Sequence, residues 1–285
     1  MKTIRLLYPD FRSGGLETYY LGAKLMAAIL PENDTQPMYC VSIDPPDGQT
    51  RPITDGIYAK EEVLTGIRSA KKILSEADPD RVITIGGNCL VSLAPFDYLH
   101  GKYENTGIIW IDAHPDVSRV EDEYPNAHAM VLASLLGAGD PSLMGEMQAP
   151  PFPADALLYV GLQSLLPHQE KFLNDCGVNY RVQTEEFVSD EEICSFIRRF
   201  DHILVHMDID VLDPAFFAST YYANPALTGD GSGGGRMTLE KLASVLHCIT
   251  ENGDVAGFTI AEFMPFDAER LNAMFHSIPL FSKKE

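Results

Sequence analysis

Short apolar runs alternate with amphipathic segments along the whole chain. The apolar runs predict strands at 3–8, 38–43, 82–86, 107–111, 156–161, 178–182, 203–209 and 256–261. Between them, apolar residues recur with helical spacing, most clearly at 60–77, 128–138, 189–199, 239–251 and 267–276. Such alternation is typical of a parallel sheet covered by helices on both faces. The pattern therefore predicts a three-layer α/β/α fold with a central, mostly parallel eight-stranded sheet.

The same pattern indicates which strands lie in the middle of the sheet. Residues 106–111 and 203–207 are almost all apolar, as expected for strands buried on both faces. The glycine-rich segment Thr228–Gly235 is interpreted as a mobile loop near the mouth of a site, because it lacks the Gly-Lys-Ser/Thr of a phosphate-binding loop. A single domain over residues 1–285 accounts for all of the predicted strands and helices.

Composition narrows the class of protein. The 285 residues are 45% hydrophobic and 22% charged, which indicates a soluble globular protein. No apolar run approaches the ~20 residues of a membrane helix, and Met1–Asp10 lacks the pattern of a secretory signal, so we expect a cytoplasmic protein. The formal net charge of -20 disfavours nucleic acid and anionic membranes and favours a cationic ligand. The five cysteines contain no Cys-x-x-Cys pair, which argues against structural zinc and a disulfide framework.

Acidic and metal-liganding residues follow four of the predicted strands. Asp112, His114 and Asp116 come after one buried run, and Asp208 and Asp210 come after the other. Alternate positions on an extended backbone point to one side, so we expect each set to share a direction. Ligands of open parallel sheets gather beyond the carboxyl ends of the strands. These residues should therefore meet in space, together with two residues after further strands, namely Cys89 and Glu262.

Mixed carboxylate and imidazole ligands suit Mn²⁺ better than structural zinc. Asp-x-His-x-Asp alone would be a solvated turn, and Asp-x-Asp alone would be a strand-end cap. Their joint occurrence after buried strands favours a metal site. Four aspartates carry too much charge for one small ion, whereas two ions sharing carboxylates and a bridging hydroxide would balance it.

Five motifs, in order, resemble those of the ureohydrolases, the family of arginases and agmatinases. They are Gly86-Gly87-Asn88-Cys89, Asp112-Ala113-His114-Pro115-Asp116, Asn126-Ala127-His128-Ala129, Asp208-Ile209-Asp210-Val211-Leu212-Asp213-Pro214 and Glu262-Phe263-Met264-Pro265. The match spans roughly residues 80–267, in the family's order and spacing. The resemblance implies an arginase-like fold and a binuclear manganese hydrolase that cleaves a C–N bond of a guanidino group. It also suggests a homo-oligomer.

The resemblance assigns roles residue by residue. Six positions correspond to the family's metal ligands: Cys89, Asp112, His114, Asp116, Asp208 and Asp210. Asp116 would also hold the hydroxide, His128 would carry a proton to the leaving amine, and Glu262 would pair with the guanidinium group. Ser118 and Asn126 lie in the loop that contacts the rest of the substrate and are candidates for substrate binding.

Two departures from the family pattern affect the expected metal and substrate. Cys89 stands where the family has histidine. If its sulfur binds as a thiolate, the metal preference of the site would shift towards Zn²⁺, Fe²⁺ or Co²⁺. If the thiol stays protonated, one metal site would be weakly occupied. Leu166 stands where arginases have an aspartate associated with the substrate's α-ammonium, which argues against free L-arginine. His206 is placed inside a strand and is assigned no role.

We therefore predict a small cationic guanidino substrate that resembles arginine, such as N-hydroxyarginine or another alkylguanidine. The product would be urea or a urea derivative. Two alternatives remain open at this point. One is an amide hydrolase of the deacetylase type, which metal stoichiometry would distinguish. The other is a non-catalytic binder of guanidino metabolites, in which Cys89 has disabled one metal position.

Overall fold

A central parallel sheet organises the protein, whose computed structural model describes residues 1–227, 231–278 and 280. Its strands are β1 (Thr3–Tyr8), β2 (Met38–Cys40), β5 (Arg81–Gly86), β6 (Thr106–Ile111), β7 (Leu157–Val160), β8 (His202–Asp208) and β9 (Val255–Ala261). In space they follow the order β2-β1-β5-β9-β8-β6-β7, and all neighbours are parallel. A separate antiparallel pair joins β3 (Ile53–Thr54) to β4 (Ile57–Tyr58).

Helices cover both faces of this sheet. They are α1 (Thr18–Ile29), α2 (Lys60–Ala77), α3 (Leu93–Lys102), α4 (Val131–Leu135), α5 (Pro141–Met144), α6 (Pro167–Cys176), α7 (Asp190–Ile197), α8 (Leu239–Asn252) and α9 (Phe266–His276). Apolar side chains of α1, α7 and α8 form one core with the sheet, and those of α2 to α6 form another on the opposite face. The predicted three-layer α/β/α fold is confirmed. Within the described ranges, none of the helices has the length and apolar character to cross a membrane.

The central sheet has seven strands among the described residues, not the eight predicted. The predicted strand at 178–182 is wrong: this segment makes no ladder with β7. The side chain of Gln183 hydrogen-bonds to the backbone at the outer edge of β7 in place of a further strand. Its Nε2 donates to Tyr159 O at 3.0 Å, and its Oε1 accepts from Gly161 N at 2.9 Å. An amide side chain offers the same donor and acceptor as a peptide group, so β7 is capped without an eighth strand.

The predicted helix at 128–138 is also shorter than expected. A 3₁₀ turn covers Ala127–Met130, and only Val131–Leu135 forms an α-helix. Gly137 then takes a φ of 77°, a left-handed conformation that ends helices readily at glycine. His128 therefore lies in a tight turn rather than in the first turn of a long helix. Of the predicted mobile loop Thr228–Gly235, residues 228–230 lie outside the described residues.

The strand order places side by side the four motifs that directly follow strands. β5, β9, β8 and β6 are consecutive neighbours, and the chain leaves each of them at the same edge of the sheet. Every residue of β6 is buried, as is β8 after its first residue, which confirms the two predicted central strands. The residues that follow these strands are therefore held close together by a rigid scaffold.

Candidate metal centre

The aspartates that end β6 and β8 are fixed by their own backbone. The Oδ1 atom of Asp112 accepts a hydrogen bond from His114 N at 2.6 Å, and Oδ1 of Asp208 accepts one from Asp210 N at 2.6 Å. The Oδ2 atom of Asp112 also accepts from Trp110 Nε1 at 2.9 Å. These turns hold the carboxylates in place while each oxygen keeps a further lone pair for another partner.

The backbone after β6 is bent, so the predicted extended geometry at 112–116 is wrong. The hydrogen bond from His114 N to Asp112 closes a local turn, and Asp116 then has a φ of 50°. Glu262 after β9 has a φ of 60°. Non-glycine residues in this left-handed region store strain of about 1–3 kcal/mol, which is characteristic of functional sites. The side chains converge through these bends rather than through strand alternation.

The predicted ligand residues converge in overlapping groups. Within each group, one ligand atom of every residue lies within 4.8 Å of the others. The groups are Cys89, Asp112, Asp116 and His206; Asp112, His114 and Asp210; Asp208, Asp210 and Glu262; and Cys89, His128 and Glu262. All six predicted metal ligands are among these residues, together with His206, which the sequence analysis left without a role. Their function as ligands stays a prediction.

Unpaired buried atoms show that divalent cations fit this cluster. Among the described residues, Asp116 Oδ2 and Asp210 Oδ1 are buried and have no hydrogen-bond partner. None of the ion pairs found among these residues joins a lysine or arginine to the four aspartates of the cluster. Burial raises the pKa of Asp112 and of Asp208 well above the usual range, and it raises the pKa of Asp116 to about 7. Burial alone would raise the pKa of Asp210, but His114 outweighs burial and lowers it. Buried carboxylates whose charge is not compensated in this way are strongly destabilised unless they are protonated or bound to metal.

His114 is oriented like a metal-binding histidine. Its Nδ1 lies 3.0 Å from Asp210 Oδ2 and 3.5 Å from Asp112 Oδ1, inside the cluster. Its Nε2 lies 3.1 Å from Gly233 O, outside the cluster. Metal-binding histidines usually hold their second ring nitrogen in this way. Burial alone lowers the pKa of His114, but Asp210 and Asp112 outweigh burial and raise it.

Cys89 lies within the cluster and acts as a hydrogen-bond donor in this structure. Its Sγ is 2.9 Å from Asp208 Oδ2 and 3.5 Å from Glu262 Oε1. The side chain is 3% exposed. Burial, and next the negative charge of Asp116, raise the pKa of the Cys89 thiol well above its usual value. A thiolate at this position therefore requires a neighbouring cation.

His128 and Glu262 belong to a polar chain at the edge of the cluster. His128 Nδ1 is 2.8 Å from Glu262 Oε1, and His128 Nε2 is 3.0 Å from the hydroxyl of Tyr124. The hydroxyl of Tyr19 donates to Glu262 Oε2 at 3.1 Å. Burial alone lowers the pKa of His128, but Tyr124 and Glu262 outweigh it and raise the value well above normal. The pair can exchange a proton without rearrangement.

A cavity of about 470 Å³ opens onto this cluster. Ser118, Asn126 and Glu262, the predicted substrate-binding residues, all line it, whereas Leu166 does not. No lysine or arginine is among the lining residues of the described chain. The cavity wall therefore combines carboxylates, imidazoles and neutral side chains.

Sequence reasoning missed a large part of the wall. The residues that it did not single out are Gly14, Gly15, Leu16, Tyr19, Thr50, Tyr58, Gln169, Tyr221 and Tyr222. Several come from the segment after β1, which carries no recognisable motif, and tyrosines in one sequence are indistinguishable from core residues. Only the folded backbone brings them to the cavity.

Comparison with known proteins identifies the class to which this fold and cluster belong. The sequence model of the Arginase family matches residues 33–276, so the chain belongs to the arginase family. Among curated relatives, the arginase of Bacillus caldovelox is 30% identical over 142 residues, which cover 47% of this chain and 47% of that protein. The arginase of Entamoeba histolytica is 26% identical over 187 residues, which cover 62% of this chain and 63% of that protein. The matched part spans about half the length of the first of these relatives.

Solved structures share the fold over nearly the whole chain. The arginase of Entamoeba histolytica in complex with L-ornithine superposes with a TM-score of 0.75 at 20% identity, covering 93% of each chain. The formimidoylglutamase of Bacillus subtilis superposes with a TM-score of 0.62 at 16% identity, covering 92% of this chain and 79% of that one. These likenesses establish the arginase-like fold. Together with the family match, they confirm the resemblance to the ureohydrolases.

Proposed function

We propose that the protein is a binuclear-metal hydrolase that cleaves a C–N bond of a guanidino compound and releases urea or a urea derivative. The observation that carries this proposal is the convergence of Asp112, His114, Asp116, Asp208 and Asp210 in one cluster. All of them except Asp112 line a cavity that has no lysine or arginine among its described lining residues. Family membership supports the same reaction class.

The six predicted ligands would hold two divalent cations. Mn²⁺ is the metal expected from the family resemblance, whereas Zn²⁺, Fe²⁺ or Co²⁺ would be favoured if the Cys89 sulfur binds. When bound, the ions supply a water molecule of lowered pKa as the nucleophile. Asp116 supports this role because its Oδ2 is buried and unpaired, and therefore available to a cation or to a water. The bent backbone at Asp116 fixes that oxygen before any ligand arrives.

Recognition of the substrate relies on charge and shape. A guanidinium group is planar and cationic, and Glu262 at the cavity wall provides a carboxylate that can accept paired N–H bonds. The hydroxyl of Tyr19 fixes one oxygen of that carboxylate. His128, hydrogen-bonded to Glu262 and Tyr124, is placed to deliver a proton to the leaving amine.

The tail of the substrate distinguishes this protein from an enzyme for free L-arginine. Leu166 is absent from the cavity wall, and it would offer no charge to an α-ammonium group. The neutral polar side chains of Ser118, Asn126 and Gln169 line the cavity instead. We therefore favour an alkylguanidine whose tail carries no α-ammonium group, because these side chains can contact such a tail through hydrogen bonds. N-hydroxyarginine has the same tail as arginine, and it is proposed for a different reason: its guanidine is less basic and therefore more electrophilic.

The test is a product assay on protein reconstituted separately with Mn²⁺, Zn²⁺, Fe²⁺ and Co²⁺. Urea and hydroxyurea release are measured with arginine, N-hydroxyarginine, agmatine and guanidinobutyrate. We expect turnover of at least one compound other than arginine, and loss of turnover in Asp210→Asn but not in Asp201→Asn, which changes an exposed aspartate before β8. Hydrolysis of an acetyl-lysine peptide alone would support the deacetylase alternative. Binding of guanidino compounds without turnover in fully metallated protein would support the binder.

A further inference from the structure

His206 lies on β8, and its ring is fully buried against the candidate metal cluster. The imidazole stacks on the indole of Trp110, with ring centroids 3.6 Å apart and an interplanar angle of 9°. Its Nε2 is 4.0 Å from Asp112 Oδ2, too far for a hydrogen bond. Among the described residues, this nitrogen has no hydrogen-bond partner. A buried, unpaired ring nitrogen costs free energy, so its retention calls for a ligand.

The surroundings of His206 point to a metal ion as that ligand. One ring nitrogen of His206 and one ligand atom each of Cys89, Asp112 and Asp116 lie within 4.8 Å of one another. The nitrogen that faces Asp112 is Nε2, at 4.0 Å from Oδ2. The Asp116 oxygen Oδ2 is likewise buried and unpaired.

The other ring nitrogen is fixed in the manner of a metal-binding histidine. Nδ1 of His206 lies 2.8 Å from Ser92 Oγ. When Nδ1 carries the proton and donates it to Ser92, the lone pair is left on Nε2. Ser92 belongs to the same 3₁₀ turn, Cys89–Ser92, as the candidate ligand Cys89. His114 shows the same arrangement on the other side of the cluster, with Nε2 held by Gly233 O and Nδ1 turned inward.

We propose that His206 is a direct metal ligand, through Nε2, on the ion shared by Cys89, Asp112 and Asp116. This inference rests on the proposed metal centre and deepens it. Cys89 occupies the position of a family histidine, and His206 supplies an imidazole from a different strand. A donor set of one sulfur, one imidazole and two carboxylates favours Zn²⁺, Fe²⁺ or Co²⁺ over Mn²⁺ at this ion.

Metal titration of a His206→Phe variant tests the proposal, because phenylalanine keeps a ring against Trp110 but removes the nitrogen. Metal-free protein is titrated with Co²⁺ by calorimetry and visible absorption. We expect wild type to bind two ions and the variant to lose at least about 100-fold in affinity at one of them. Ser92→Ala should lower the affinity for the same ion by about 10–100-fold, because it removes the hydrogen bond to Nδ1 but leaves Nε2 in place.

The matched control is His202→Phe. His202 lies on the same strand, contacts the ring of Tyr103 with centroids 3.9 Å apart and pairs with Asp254, away from the cluster. This variant should bind both ions with wild-type affinity. If His206→Phe also binds both ions normally and leaves the Co²⁺ spectrum unchanged, His206 is a packing residue and the proposal is overturned.

X-ray absorption of the Zn²⁺-loaded wild-type protein tests the same point without any variant, in case His206→Phe fails to fold. Multiple scattering from imidazole should report two histidines per chain, contributed by His114 and His206. One histidine per chain with two bound ions and intact hydrolysis would overturn the His206 assignment alone. A wild-type chain that binds no divalent cation would overturn both this inference and the proposed function.

Discussion

At the scale of single residues, the centre is a set of buried acids held by hydrogen bonds from their own backbone. Asp112 and Asp208 accept N–H groups two residues further along the chain, which fixes the side chains before any cation binds. Such preorganisation reduces the reorganisation that binding or catalysis requires. It also keeps carboxylates buried, so that only protonation or a bound cation removes the free-energy cost of their negative charge.

Glu262→Gln tests recognition of the guanidinium group. The amide keeps the shape of the side chain but removes its charge, and charge-assisted hydrogen bonds contribute about 1.5–3 kcal/mol. We expect kcat/KM for the best guanidino substrate to fall by about 10- to 150-fold, with both ions still bound. Steady-state kinetics and metal analysis measure the two effects.

The control for that variant is Glu269→Gln. Glu269 lies on α9 and accepts a hydrogen bond from Thr18 at 2.6 Å, outside the cavity wall. Its kinetics should match those of wild type. Unchanged kcat/KM in Glu262→Gln would contradict the role given to Glu262.

Cys89→His tests how the sulfur affects metal choice. Replacing a soft sulfur by an imidazole should shift the bound metal from Zn²⁺ or Co²⁺ towards Mn²⁺. Elemental analysis of protein equilibrated with an equimolar mixture of the ions measures this shift. Cys40→His, at an exposed position, is the control and should leave the metal content unchanged. If Cys89→His and wild type bind the same proportions of the ions from this mixture, the sulfur is not a ligand.

The motifs singled out every residue of the candidate metal cluster except His206, but they missed much of the cavity wall. Asp112 and His114 can be recognised from the sequence because carboxylate and imidazole side chains directly follow an apolar strand there. His206 lies inside an apolar strand, where a histidine looks like a core residue. Its unpaired nitrogen becomes visible only when β6 and β8 are side by side. Tyr19 likewise reaches the cavity from the first turn of α1, a helix that is not among those predicted from the sequence.

At the scale of secondary structure, the order of strands decides what the motifs can do together. Four motif-bearing strands are consecutive in the sheet, although β9 comes last in the chain. Hydrophobic periodicity predicted these strands well, because each is a long buried run. It failed at 178–182, where the side chain of Gln183 replaces a strand at the edge of β7. A side chain that mimics a peptide group leaves no periodic signal.

Gly87→Ala tests the close packing after β5. A Cβ atom at Gly87 would lie 1.8 Å from the carbonyl oxygen of Asp10, so the backbone must shift. Gly87 O also accepts from Glu262 N at 3.0 Å, so the shift would reach the cluster. We expect a loss of about 1–3 kcal/mol or more in the free energy of unfolding, together with weaker metal binding.

Gly101→Ala is the matched control for this substitution. Gly101 lies in α3, and its nearest added contact would be Ala149 Cβ at an ordinary 3.6 Å. An alanine inside a helix should raise stability by about 0.5–1 kcal/mol. Urea unfolding measures both variants. A Gly87→Ala protein as stable as Gly101→Ala would show that the loop after β5 is not tightly constrained.

At the scale of the whole molecule, charge and cavity act together. The formal net charge of -20 and a cavity free of lysine and arginine among its described lining residues create a field that attracts cations. The same field opposes the folded state when no cation is bound. Metal ions should therefore stabilise the fold as well as supply chemistry.

Metal removal should make stability depend on pH. The pKa of Asp116 is raised to about 7, above its unfolded value, so its contribution to stability is fully present at low pH and is lost as pH rises through about 7. His114 and His128, whose pKa values are also raised, act in the same direction. The lowered pKa of His206 acts oppositely, but only below about 6.5.

We therefore expect metal-free protein to lose stability between pH 6.5 and 8.5, by roughly 1 kcal/mol from Asp116 alone. Excess divalent cation should remove this loss, because binding favours the deprotonated carboxylates. Urea unfolding of chelator-treated and metal-loaded samples across this range measures the difference. Metal-free stability that rises over the same interval would contradict the protonation of the buried cluster.

The most direct measurement is anomalous X-ray diffraction from crystals grown with Mn²⁺, recorded on both sides of the manganese absorption edge. We predict two anomalous peaks per chain, between the carboxylates of 112–116 and those of 208–210. Absence of any peak there, with these carboxylates engaged by lysines or arginines instead, would contradict the proposed metal centre and the hydrolase that depends on it.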